Sequence, residues 1–190
     1  MNLEPGDILV DISEKKDLWH IIERWALGSP YTHVRMFYGA LPKAGTPKPV
    51  FYESKGRGVI FTSAAESYGQ KMVVMRLRES YQALVPDILG KAWEIATDER
   101  SFYDYLSVPG FILPRLIFEK LHLPLPLKYH RNPYMICSEA VAEPFWRVNL
   151  ELVPRDVEPL PGDFATATEH LSYMGTIILS AENFNVNHLG

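Results

Sequence analysis

Cys137 is the only cysteine in a chain of 190 residues, and it sits in Tyr134-Met135-Ile136-Cys137-Ser138-Glu139-Ala140-Val141, where a short apolar run gives way to a helix start. A thiol there lies in the positive field of the helix N-terminus, which favours the nucleophilic thiolate. Far upstream, Tyr31-Thr32-His33-Val34-Arg35-Met36-Phe37-Tyr38 has strand character and carries a histidine near its beginning. A cysteine nucleophile needs such a base, and the base needs a third polar group to orient it. Glu53 is the best candidate for that third role, because its strand is placed to pair beside the His33 strand. Each residue also has a plain structural use: Cys137 as a small core residue, His33 as a half-buried ring, Glu53 as a charge at a strand edge.

The elements that must position these groups are legible in outline. Ile8, Leu9 and Val10 form a first strand, Gly6 to Asp11, directly after Pro5-Gly6. Leu18, Ile21, Ile22 and Trp25 recur at helical spacing between Lys15 and Leu27, and Gly28-Ser29-Pro30 ends the run. In the next strand the side chains alternate, so His33, Arg35 and Phe37 share one face while Val34, Met36 and Tyr38 share the other. Leu41 to Pro49, with three prolines and a glycine, reads as a loop. Val50 to Glu53 and Val59 to Phe61 read as a hairpin around Ser54-Lys55-Gly56-Arg57-Gly58.

Met72 to Leu77 is a further strand, and Val85 to Ala96 a helix with Pro86 tolerated in its first turn. Pro109 and Pro114 divide Tyr103 to Leu121 into two or three short helical pieces. Pro144 is expected to kink or end the Cys137 helix at about Glu143. A Pro-rich stretch from Pro154 to Pro161, a short helix near Gly162-Asp163-Phe164 and a last strand from Met174 to Leu179 complete the chain.

Composition narrows the class. The content is 47% hydrophobic and 22% charged, ordinary for a globular chain long enough to bury a core as one domain spanning residues 1–190. A net charge of −4 gives no general attraction for nucleic acid. One cysteine makes no intramolecular disulfide, which suits a reducing compartment, and the N-terminus lacks the basic and apolar regions of a secretory signal. The expected location is therefore cytoplasmic. No apolar run reaches the ~18 residues of a membrane span, so no integral membrane segment is expected.

Taken in order, Gly6-Asp7-Ile8-Leu9, Thr32-His33-Val34, Phe51-Tyr52-Glu53, Phe102-Tyr103-Asp104 and Ile136-Cys137-Ser138-Glu139-Ala140-Val141 resemble the circularly permuted NlpC/P60 group, the YiiX/YaeF-like papain-like cysteine hydrolases. In that group the histidine precedes the cysteine, as it does here, and the resemblance runs from Gly6 to about Gly162-Asp163. It implies an α+β, papain-like fold with a central antiparallel sheet and a helix carrying the nucleophile. It also implies Cys137 as nucleophile, His33 as general base and Glu53 as orienter, with Tyr103 and Asp104 lining or buttressing the site. The reaction implied is acyl transfer from a peptide or isopeptide amide, such as a cell-wall peptide, to water through a thioester. The backbone N–H of Cys137 is a natural oxyanion donor.

Arg35 departs from the group's pattern, which commonly has a small or apolar residue there. It has three readings: a partner for Glu53 that competes with the orienting bond, a binder of a substrate carboxylate, or a solvent-facing strand arginine. With Tyr31, Tyr103 and Asp104 it is a candidate substrate-binding residue. His20-Ile21-Ile22-Glu23-Arg24 carries an arginine where a zinc-protease motif needs a second histidine, and the remaining histidines have no ligand spacing, so neither metal nor cofactor is expected. Two other functions fit the same residues. A lipid-acting acyltransferase or phospholipase would use Phe111 to Leu127 as an apolar tunnel, although Leu113, Leu116, Ile117 and Leu121 also suit a core. A catalytically silent binding protein would use the cleft alone. If the substrate is peptidoglycan, a cytoplasmic chain meets fragments, or reaches the wall after lysis or in a virus particle.

Overall fold

The strand run Ile8-Leu9-Val10 is fully buried, and it lies in one of the two central strands of a six-stranded antiparallel sheet. The computed structural model describes residues 1–13, 29–43, 46–55, 58–98 and 135–184. In chain order the strands are β1 (Ile8–Ile12), β2 (Tyr31–Lys43), β3 (Thr46–Ser54), β4 (Val59–Ser63), β5 (Lys71–Leu77) and β6 (Leu171–Ile178). Their order in the sheet is β4-β3-β2-β1-β5-β6. Three α-helices are described: α1 (Val85–Thr97), α2 (Cys137–Arg147) and α3 (Pro161–Thr166). The class is α+β.

The alternation read from β2 appears in the packing. Val34 and Met36 join Ile8, Val10 and Tyr52 on one face, beneath Cys137, Ala140, Val141, Phe145 and Trp146 of α2 and Ile88, Ala92 and Ile95 of α1. Phe37 faces the other way, with Leu9, Phe51, Met72, Val74, Leu179 and Phe184. Burying both faces of β1 explains why it reads as a continuous apolar run. At the turn into β1, Gly6 has a φ of +93°, and a Cβ there would lie 3.1 Å from a Val85 methyl, so the turn closes against the start of α1 only with glycine. Asp7 accepts hydrogen bonds from Arg76 Nε at 2.7 Å and from the Glu4 N–H at 2.8 Å, which makes it an anchor for this end of the sheet.

Two expectations are corrected. Leu41 to Pro49 is not a loop: β2 continues to Lys43 and β3 begins at Thr46, with Ala40 opposite Pro49 and Pro42 opposite Pro47. The prolines are tolerated because this ribbon runs past the rest of the sheet. β4 joins β3 only from Val50, β1 joins β2 only up to Met36, and a missing N–H there leaves no second neighbour unpaired. The Cys137 helix also does not stop before Pro144 but runs to Arg147. A mid-helix proline costs about 3 kcal/mol. Phe145 and Trp146 just beyond it are buried, each worth about 1.5–3 kcal/mol, and Trp146 Nε1 donates to the Val153 carbonyl at 2.8 Å.

The other elements match closely. The strand at Met72 and the helix at Val85 lie where expected, and the final strand starts slightly earlier, at Leu171. The short helix begins at Pro161 and contains Gly162-Asp163-Phe164. The helix expected at Lys15 to Leu27, the pieces within Tyr103 to Leu121 and the apolar stretch Phe111 to Leu127 lie outside the described residues. Among the described residues no helix is long and apolar enough to cross a membrane.

Candidate active site

Three elements converge on one corner of the sheet. His33 and Glu53 come from the neighbouring strands β2 and β3, and Cys137 is the first residue of α2, which packs across both. α2 starts there because the chain is extended at Ile136 and the Ile136 N–H is taken by the Glu139 side chain at 2.8 Å. This is the return half of a capping box, and it satisfies an amide at the helix entry. The turn before it is tied to the sheet by the Ser54 hydroxyl, which donates to the Met135 carbonyl at 2.6 Å. The Cys137 N–H is then among the first amides of a helix, which have no intrahelical acceptor.

His33 Nε2 lies 2.6 Å from Glu53 Oε2, and the ring is about one-quarter exposed while the carboxylate is buried. Glu53 Oε1 accepts a hydrogen bond from the Thr62 hydroxyl at 2.5 Å. Burial pushes the Glu53 carboxyl up, but the His33 bond, the Arg35 and His33 charges and the Thr62 bond outweigh it and bring it down to about 2. An ionised carboxylate only accepts, so Nε2 carries the ring proton and Nδ1 is left for the thiol. Burial likewise opposes a charge on His33, yet the electrostatic pull of Cys137, a hydrogen bond to it and the Glu53 bond raise the ring to about 10, against a smaller opposing push from Arg35. The protonated His33 ring thus donates on both sides, to the Glu53 carboxylate and toward the Cys137 sulfur. Cys137 itself is 8% exposed.

His33 reaches the sulfur although its strand neighbours Arg35 and Phe37 turn the other way. The β1–β2 pairing is irregular between Asp11 and Ile12, directly at the Asp11–His33 pair. A bulge bends the strand and increases its twist, here at the point where the ring must swing toward α2.

Arg35 is buried. Its guanidinium donates to Asp11 Oδ2 at 2.5 Å, to Gln70 Oε1 at 3.3 Å and to the Ser67 hydroxyl, and lies 3.7 Å from Glu53 Oε2 and over the Phe51 ring. Burial raises the Asp11 carboxyl, and the Arg35 and His33 charges partly offset this. Asp11, Thr62, Ser67 and Gln70 complete the site, and none was singled out from the sequence. The signal available for Asp11 was a carboxylate directly after three buried apolar residues of a central strand. Tyr31 opens β2, with its ring beside Gly162 at the start of α3. Tyr103 and Asp104 lie outside the described residues. No group of three or more metal-ligating side chains occurs among the described residues.

No family model matches the chain, and no curated protein matches it. Among solved structures, the crystal structure of the metalloprotein yiiX from Escherichia coli O157:H7 is similar to it, with a TM-score of 0.49 and 16% identity over 94% of this chain and 100% of that one.

Proposed function

We propose that the chain is a cysteine hydrolase of the papain-like, permuted NlpC/P60 (YiiX/YaeF-like) kind, folded as a single domain. The observation that carries this reading is the convergence of Cys137, His33 and Glu53, with the ring bonded to the carboxylate at 2.6 Å and coupled to the cysteine. Cys137 Sγ attacks the carbonyl carbon of an amide, and the oxyanion forms beside the Cys137 N–H. The His33 imidazolium gives its proton to the leaving amine, leaving a thioester on Cys137. Neutral His33 then takes a proton from water, which adds to the thioester and releases the acid and the thiolate. Glu53 keeps the ring in the tautomer and orientation this exchange needs. The substrate class is a peptide or isopeptide amide, and the working location is the cytoplasm.

Because Cys137 is the single thiol, iodoacetamide labelling followed by mass spectrometry reports one site. The expected result is rapid labelling of the folded protein at neutral pH, slowed at least about tenfold by His33→Ala, the scale of a lost acid–base partner. Labelling that requires unfolding would overturn the proposal. Turnover of amides against thioesters and lipid esters, with Cys137→Ala as control, separates a hydrolase from a lipid-acting acyltransferase. Rapid labelling with no turnover of any class would favour a binding protein.

A further inference from the structure

One oxygen of the site is contested. Glu53 Oε2 takes the His33 bond at 2.6 Å and lies 3.7 Å from an Arg35 amino group, just beyond a hydrogen bond. A guanidinium beside a buried carboxylate ordinarily closes on it with two parallel bonds, which would use the lone pairs that orient His33. Here the guanidinium is held elsewhere: the other amino group is on Asp11 and Gln70, and the near one is on Ser67. Asp11 is the one charged member of that set and sits directly across β1–β2 from His33.

We propose that Asp11 is a positioning residue of this site, which holds the Arg35 guanidinium and thereby keeps Arg35 from drawing Glu53 away from His33. The inference rests on reading Cys137, His33 and Glu53 as one working unit, and it gives Arg35 an internal role. Among the described residues, the charged and titratable groups facing Arg35 and Glu53 are Asp11 from β1, His33 from β2 and, beyond the ring, Cys137 from α2. β4 contributes the neutral Thr62, and the segment between β4 and β5 contributes Ser67 and Gln70. Signs alternate along the line Asp11, Arg35, Glu53, His33. Removing the first charge frees the second to close on the third.

The test reads the His33 ring titration by NMR and the Cys137 labelling rate at neutral pH in Asp11→Asn, Asp11→Asn/Arg35→Gln, Glu53→Gln and Asp11→Asn/Glu53→Gln. Asp11→Asn is expected to lower the ring titration by about one unit and slow labelling about tenfold. Adding Arg35→Gln removes the competing cation and restores most of both. In the Glu53→Gln background Asp11→Asn has little further effect on the ring, because there is no carboxylate left to divert. An Asp11→Asn protein with wild-type behaviour, a defect that Arg35→Gln fails to relieve, or an equal shift with and without Glu53 would each overturn the proposal. Should Asp11→Asn fold poorly, the double variant leaves no unpaired buried ion, and slow labelling of its folded form sinks the idea by itself. Wild-type labelling indifferent to His33→Ala, with the ring still responding to Asp11, would instead sink the hydrolase reading alone.

Discussion

At Glu53, burial and ion pairing oppose each other, and the surroundings decide. The carboxylate stays ionised inside the protein because His33, Thr62 and Arg35 each stabilise its charge. Thr62→Val leaves Glu53 Oε1 without its 2.5 Å donor. The expected cost is about 1–3 kcal/mol of stability, read by urea unfolding, with a few-fold slower Cys137 labelling. Cys137, His33 and Glu53 were legible in the sequence because their side chains carry scarce chemistry in a definite order. Asp11 and Thr62 were not. An aspartate and a threonine on strands are commonplace, and only the register, Asp11 opposite His33 and Glu53 opposite Ile60, brings them to the site.

At the scale of elements, the start of α2 is held by two side chains, Ser54 to the Met135 carbonyl and Glu139 to the Ile136 N–H. Ser54→Ala and Glu139→Ala are each expected to cost about 1 kcal/mol. Both are expected to slow labelling while leaving the Glu53-linked acid step of the His33 ring, followed by NMR, at its wild-type pH, because these two bonds go to the backbone of Met135 and Ile136 and not to His33 or Glu53. A shift of that step would show that the helix entry and the base are coupled. Alternation and turn chemistry made β1, β3, β4, β5 and α1 readable. The two differences share one cause: by local rules Pro42, Pro47 and Pro49 end a strand and Pro144 ends a helix. Pro42, Pro47 and Pro49 lie where the β2–β3 ribbon has outrun its neighbours, and Pro144 is carried by the burial of Phe145 and Trp146. Local rules cannot see either circumstance, since both depend on what packs alongside.

For the whole molecule, two shifted groups give stability limbs of opposite sign. Glu53, at about 2 when folded against an ordinary 4.5, favours the folded state above about pH 4.5, and the contribution fades as pH falls toward 2. His33, at about 10 against 6.5, favours the folded state fully below 6.5, and the contribution is lost as pH rises through 10. Asp7 and Asp11, both raised by burial, act against Glu53 and soften the acid limb. Urea midpoints measured from about pH 3 to about pH 10 should therefore peak between about pH 4.5 and about pH 6.5, and Glu53→Gln should flatten the acid side. An acid limb unchanged by that substitution would place its origin in other carboxylates. The Ser54 to Met135 bond also sets an order in time. His33 and Glu53 are 20 residues apart and meet within the β2–β3 pair, whereas that bond spans 81 residues and brings the sulfur to them. Closing the longer span costs more chain entropy, so His33 meets Glu53 before Cys137 arrives. Pulsed alkylation of Cys137 during refolding would time that docking.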